Sequence, residues 1–331
     1  MYLILAAAAL FAAWSLVSHI YSRNWFKNLD FSVQFSSSGI FEGEKGVITE
    51  IVSNRKAIPI FWASLQFMKP GPLRISGSVQ SYDSYRKDRV SVLPYEEVSK
   101  KLPFTAERRG CYRLKDLQFT AGDLMFRCKM IRHFPDSSEL YVYPRSKEIG
   151  RFQVDYRKII GEAVARRRLL EDPFFFRGIR DYYPFDSMKN VNWKATARTG
   201  SLKVNEYHTT HSQQIMLLLD LDGYNRLDGW RIKEDVIRVA AFLARKFLIN
   251  GIAVGFVTNA SDVLSGGMAK SECGNGRAHF FSMMREMAKI NTEKLLTPFD
   301  SILKGLPRSG GEQTQYLLLS YYYGSGLVNR I

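Results

Sequence analysis

The sequence predicts an α/β fold built on a parallel sheet, preceded by a β-sandwich-like domain and one N-terminal transmembrane helix. Three observations carry that expectation. An uncharged apolar run opens the chain, short period-two stretches fill about the next hundred residues, and apolar strands alternate with amphipathic helices from Gln214 onward. With 331 residues, 46% of them hydrophobic, the chain can bury more than one core.

The opening run, MYLILAAAALFAAWSLVSHI, carries no charge over about 20 residues, which at about 1.5 Å each matches a bilayer core of about 30 Å. A secretory signal would need a basic start, a shorter apolar stretch and a small-residue cleavage site, yet only Met1 and Tyr2 precede the run. An uncleaved anchor over residues 1–21 is therefore expected. Arg23 and Lys27 follow it directly and nothing basic precedes it, which places the rest of the chain on the cytoplasmic side of a cell membrane.

In FSVQFS, Phe31, Val33 and Phe35 alternate with Ser32, Gln34 and Ser36. VITEIV, IFWASLQF, CYRLKDLQF and ELYVYP repeat the pattern, separated by the turn-formers FEGEKG, KPGP and TAGD. These runs predict an antiparallel, β-sandwich-like domain over 29–147, with the polar stretch from Arg74 to Ser99 as an exposed loop. Residues 148–211 read as a basic connector, helix-prone at first, with Arg166, Arg167 and Arg168 on a solvated helix face.

From 212 to 331 the period is that of an α/β domain. The strand QIMLLLD precedes a helix with Val236, Val239, Ala240, Leu243 and Phe247 on one face. IAVGFVT follows, then a helix with Phe280, Met283 and Met287 on one stripe, then QYLLLSYYY. Such alternation implies parallel pairing and a crevice at the strands' C-terminal ends. Only GSGLVNRI follows the third strand, so an incomplete sheet is expected, with an exposed edge near Tyr316 to Tyr322 that favours association with another chain.

A net charge of +15 attracts anionic lipid, nucleic acid or acidic protein without choosing among them. Cys111, Cys128 and Cys273 are an odd number at wide spacing, which suggests reduced thiols and neither a disulfide framework nor a zinc knuckle. QIMLLL delivers Asp220 and Asp222 to the crevice, where two carboxylates one residue apart could hold a divalent cation. A plain acidic turn bent at Gly223 is favoured, and no cofactor is expected. His208, His211 and His279 have no nucleophile elbow beside them, and SGGMAK and GNGRAH lack the lysine–serine or lysine–threonine of a phosphate loop.

The segment from Arg177 to Tyr207 is the most distinctive. Arg180, Asp181, Tyr182, Pro184, Asp186, Asn192, Trp193, Thr196, Ala197 and Arg198, followed by Gly200, Leu202 and Val204, closely resemble the signature of the domain-of-unknown-function 58 family. In that family the signature directly precedes a domain similar to the von Willebrand factor A fold. The resemblance implies a membrane-anchored, non-enzymatic scaffold that acts with a MoxR-type AAA+ ATPase in assembling or maturing other complexes. Phe185 stands where the family usually has glycine and Asn192 where it usually has aspartate. Asp222 and Tyr224 occupy the serine positions of a metal-binding A-type domain, and Tyr321 the position of its later aspartate.

Physically, the segment suits a domain joint. Arg180 and Arg198 can each take a carboxylate bidentately, Asp181 and Asp186 can supply one, and Trp193 offers a large apolar face. Arg198 is expected to be buried, so that its loss harms folding more than loss of Arg167. The acids within the segment argue against nucleic acid as the partner. The rival from another class is a membrane-tethered, divalent-metal-dependent hydrolase using Asp220 and Asp222.

Overall fold

The computed structural model describes residues 2–75, 84–122, 129–136, 139–146, 171–183, 186–209, 214–222, 229–305, 314–320 and 328–330. The chain divides into two compact units, Met1–Arg145 and Ser146–Ile331. The first holds α1 (Tyr2–Asn24), β1 (Leu29–Phe35), β2 (Gly39–Phe41), β3 (Lys45–Asn54), β4 (Ile60–Lys69), β5 (Leu73–Ile75), β6 (Ser84–Val92), β7 (Glu97–Ala106), β8 (Gly110–Tyr112), β9 (Lys115–Gly122), β10 (Lys129–His133) and β11 (Leu140–Tyr143). The second holds β12 (Glu171–Asp181), α2 (Trp193–Thr199), β13 (Lys203–Thr209), β14 (Gln214–Leu219), α3 (Gly229–Ile249), β15 (Ala253–Asp262), β16 (Met268–Gly274), α4 (Gly276–Lys289), β17 (Ile290–Leu295), α5 (Phe299–Gly305), β18 (Thr314–Leu319) and β19 (Val328–Arg330).

In the first unit the strands form sheets ordered β1-β3-β7-β5, β10-β9-β4-β6 and β2-β11-β8. Alternate residues of β3 and β9 turn inward, as period two requires. Phe31 on β1 and Phe119 on β9 belong to different sheets, and their rings meet edge-on at 6.2 Å between centroids. Around them Ile48, Leu65, Phe67 and Leu117 fill one core.

The region expected as a polar loop holds β6, an edge strand whose inward positions include Arg86, Asp88 and Val90. Inward charges on an edge strand discourage pairing with other chains. They meet Glu50, which β3 carries inside at 1% exposure and whose two oxygens accept no hydrogen bond from the described residues. Arg86 and Lys100 both contact Asp88, at 2.8 and 2.9 Å. Burial, then the neighbouring Asp88, raises the Glu50 pKa from 4.5 to about 7. Burial alone would raise Asp88 too, but hydrogen bonds from Lys100 and Arg86 prevail and lower it. The proton of the pair therefore resides on Glu50.

Helix α1 does not stand apart from this unit. Tyr21, and Trp25 just beyond the helix, are buried in its core, and the Lys56 ammonium donates to the Trp25 carbonyl. Among the described residues no helix is long and apolar enough to cross a membrane, which overturns the expected transmembrane helix. The residues that follow the apolar run pack onto the sheets, while Leu5, Leu10, Phe11, Trp14 and Leu16 within it are exposed.

In the second unit, β12 and β13 form an antiparallel ribbon where a helix-prone connector was expected. The remaining strands make a six-stranded sheet, β16-β15-β14-β18-β19, with β17 also on β15. Strand β14 pairs in parallel with β15 and β18, whereas β16, β17 and β19 join antiparallel. Helix α3 buries Val236, Val239, Ala240, Leu243 and Phe247, and α4 buries Met283 and Met287.

The expected von Willebrand factor A-like α/β architecture is thereby corrected. Strands make up 48% of the described residues and helices 28%, spread over several sheets, and the third sheet neighbour is a returning strand where a crossover helix was expected. The cause is local. After β15 the Asp262 carboxylate accepts from Leu264 and Ser265 N–H at 2.6 and 3.0 Å, and Gly266 takes φ 68°, so the chain folds back at once into β16. The edge expected near Tyr316 is also covered: Leu317 to Leu319 pair with Arg330 to Val328 of β19.

A carboxyl whose pKa rises on folding favours the fold below its unfolded value, and that contribution is lost as pH rises through the folded value. Stability of the first unit should therefore fall from about pH 4.5 to about pH 7. Glu50→Gln should flatten this slope and raise the melting temperature at pH 8 by on the order of a few °C, with little change at pH 4.5. Thermal melts across that range check it, and parallel curves for the two proteins would exclude Glu50 as the cause.

Candidate functional site

The signature is built on the β12–β13 ribbon, in which Arg180 lies opposite Val204 and Asp181 opposite Lys203. The Arg180 guanidinium forks onto Asp186, with Nη1 to Oδ2 at 2.6 Å and Nη2 to Oδ1 at 2.7 Å. Asp186 Oδ2 also accepts from Tyr183 N–H at 2.8 Å, closing a tight loop, and Arg180 lies over the Tyr183 ring at 5.5 Å. The guanidinium and that backbone N–H hold the Asp186 carboxyl down to about 2. Asp181 pairs with Lys203 at 2.5 Å, and Tyr182 N–H donates to Leu202 O at 3.0 Å.

Asn192 starts the short helix α2. Its Oδ1 accepts from Ala195 N–H at 2.9 Å as an N-cap, and its Nδ2 donates to Asn205 Oδ1 at 2.7 Å. An aspartate could cap but has no donor for Asn205 Oδ1, so it would keep that contact only with the Asn205 amide turned to donate. Thr196 Oγ1 accepts from Lys203 N–H at 3.0 Å, and Gly200 closes the helix in the left-handed region at φ 71°. Val191 and Val204 are buried beneath it.

Trp193, Ala197 and Arg198 are turned to solvent, Trp193 at 62% exposure. The expectation of a buried Arg198 is thus corrected: α2 is short and rests on the ribbon through Thr196 and the Asn192 cap, which leaves Arg198 outside. Pro184, Phe185 and Arg166 to Arg168 lie outside the described residues. Asn205 was not singled out in the sequence; its signal is a polar residue amid the alternation of KVNEY.

At the end of β14, Asp220 is 4% exposed and accepts from Ser320 Oγ at 2.7 Å and Asp222 N–H at 2.9 Å. Burial raises its pKa. Asp222 Oδ2 accepts from Phe299 N–H at 2.5 Å, at the start of α5, and Asn259 Oδ1 accepts from Leu221 N–H at 3.1 Å. Both acids therefore hold neighbouring segments in place. Asn259 Nδ2, fixed as a donor by the bond its Oδ1 makes, and Thr297 Oγ1 are buried without a hydrogen-bond partner among the described residues. Those residues include no group of three or more His, Cys, Asp or Glu side chains able to hold a metal ion. Asn259 and Ser320 were missed in the sequence, where their signal is a polar residue ending an apolar strand.

Of the remaining candidates, His279 sits against the Val254 carbonyl at 2.7 Å, and Cys273 is pushed up to about 11 by burial. Gly266 and Gly267 of SGGMAK lie in the β15–β16 turn, and GNGRAH opens α4.

The family described as "Protein of unknown function DUF58" matches residues 178–320. A relative described as "Uncharacterized protein YeaD", from Bacillus subtilis (strain 168), is 21% identical over 269 residues, covering 78% of this chain and 61% of the relative. The chain thus spans about 61% of the length of the curated relative it matches. Solved structures with partial likeness include the CARDB domain of a Pyrococcus furiosus protein and a type I cohesin from Pseudobacteroides cellulosolvens. The first is 16% identical and covers 35% of this chain and 96% of its own, at a TM-score of 0.23. The second is 12% identical and covers 34% and 91%, also at 0.23. At that score neither adds to the description of the fold.

Two outcomes are expected from variants of these sites. Asn192→Ala should destabilise the second unit by about 1 kcal/mol through the lost cap, and Asn192→Asp by less, because the cap acceptor remains; chemical denaturation reads both. Asp220→Ala should lower the melting temperature equally in EDTA and in magnesium. A drop present only in magnesium, together with stoichiometric bound metal, would support the hydrolase instead.

Proposed function

We propose that this is a membrane-attached, non-enzymatic interaction protein, its units on the cytoplasmic side, acting with a MoxR-type AAA+ ATPase in assembling or maturing other protein complexes. The observation that carries the reading is the exposure of Trp193 and Arg198 on a pinned helix. Tryptophan and arginine are the side chains most often found to anchor an interface, and a fixed support lowers the ordering cost of using them. Lys194 is exposed beside them, so the matching surface on the partner should be acidic.

The choice of an AAA+ ATPase rests on the likeness of the signature to its family. Membrane attachment is supported by Leu5, Leu10, Phe11, Trp14 and Leu16, all exposed on α1, and by Arg23 and Lys27, exposed after it, whose charge is attracted to anionic lipid.

Crosslinking from membranes followed by capture of the full chain tests the reading. An AAA+ ATPase should be recovered with the wild-type protein and at least about tenfold less with Trp193→Ala or Arg198→Ala, at unchanged melting temperature. Undiminished recovery with both variants would remove α2 from the interface.

A further inference from the structure

At one end of the first unit, aromatic side chains and cations gather on adjoining turns. Strand β4 opens with a bulge: Ile60 pairs with Val92 and Ala63 with Val90, so Phe61 and Trp62 together oppose Ser91 alone. Both are exposed, Trp62 at 59%. On the turn after β6, Leu93 and Tyr95 are exposed as well, Tyr95 at 74%.

Tyr95 has φ 58°, a left-handed conformation that bulky residues rarely adopt and that is kept where the surroundings enforce it. Here Tyr95 N–H donates to Lys56 O at 3.2 Å and Leu93 N–H to Glu96 Oε2 at 2.6 Å. The Asn54 side-chain amide donates both to Ile58 O at 3.0 Å and to Leu93 O at 2.9 Å, which ties the approach to β4 to this turn. Arg55 N–H donates to Asn28 O at 2.8 Å, joining them to the exit of α1. There Phe26 is exposed, with Arg132 over its ring at 5.3 Å.

Single exposed apolar residues are ordinary on a protein surface, but five on linked turns are not. Arg23, Lys27, Arg55 and Arg132 are exposed around them. Of the nearby acids, Glu96 is spent on the turn, and Asp30 and Glu97 lie on strands of the other sheet, either side of Ser53. Tryptophan and tyrosine mixed with arginine and lysine is the composition found at membrane–water boundaries, where the rings take the apolar side and the cations the phosphates.

We propose that this end of the first unit lies on an anionic lipid surface, with Phe26, Phe61, Trp62, Leu93 and Tyr95 in the headgroup boundary and Arg23, Lys27, Arg55 and Arg132 on lipid phosphates. The inference rests on the membrane attachment proposed above and adds which face of the sheets meets the lipid.

The test uses the full chain with phosphatidylcholine vesicles, with and without phosphatidylglycerol. Brominated lipid should quench a fluorescence component that Trp62→Phe removes, and amides 93–96 should exchange more slowly on vesicles containing phosphatidylglycerol. Arg55→Ser should weaken binding to those vesicles by about fivefold at low salt. Vesicle binding with Trp62 unquenched and those amides unprotected would leave attachment to α1 alone and overturn the inference. Failure to bind any vesicle would remove the attachment as well. A dimer broken by Trp62→Ser and indifferent to lipid would show that the face covers a second copy.

Discussion

A carboxylate at the end of a buried apolar strand needs hydrogen-bond donors before the strand can be enclosed, and the second unit is arranged around how Asp220 obtains them. Strand β14 lies between two parallel neighbours, and its last leucines are fully buried. Ser320, directly after β18, gives Asp220 a hydroxyl, and the turn to Asp222 gives it a backbone N–H. That same turn directs Leu221 N–H to Asn259 on β15 and Asp222 to the first residue of α5. One buried acid thus sets the register of three strand ends and the start of a helix.

Several strands were legible where one face is apolar, although β7, which buries Leu102, Phe104 and Ala106, was not among them. VITEIV and IFWASLQF fall within β3 and β4, and FSVQFS falls in β1 up to Phe35, because burial alternates there with the pleat. Where neither face is plainly apolar the period disappears. Strand β6 turns arginine and aspartate inward and tyrosine, lysine and arginine outward, so its sequence reads as a loop although its pairing with β4 is long. Strand β16 buries only Ala269 and is equally hidden. Length and lack of charge assigned the opening run to the bilayer, because nothing in it tells that Tyr21 and Trp25, which follow it, pack into the first unit's core.

Within the signature, charge pattern gave the partners partly and the direction of the side chains hardly at all. Arg180 and Asp186 do meet in the forked geometry that their chemistry suggests. Asp181 was an equal candidate and goes to Lys203, because cross-strand pairing places those two residues opposite each other. Arg198 resembles Arg180 in type yet faces solvent, since the side on which a short helix rests is decided by its cap and by Thr196, which no periodicity reveals over so few residues. Asn192 was visible as a departure from aspartate, but its reason lies in Asn205, thirteen residues away on the ribbon.

Among the buried ionisable groups of the first unit, Glu50 and Lys56 have pH dependences that oppose each other. Glu50, raised to about 7, stabilises the fold while protonated and ceases to do so as pH rises through that value. Lys56 is lowered from 10.5 to about 8 by burial, so the fold gains as it loses its proton between about 8 and 10.5 and is handicapped below. Between about pH 7 and about pH 8 both costs apply in part, with at least half of Glu50 ionised and at least half of Lys56 protonated. The Lys56 ammonium recovers part of its cost by donating to the Trp25 carbonyl at the exit of α1, where the negative end of the helix dipole favours a cation. Glu50 has no such donor among the described residues. The carboxyl lies between the sheets, where inward charges of β6 replace the apolar contacts that close the rest of the core.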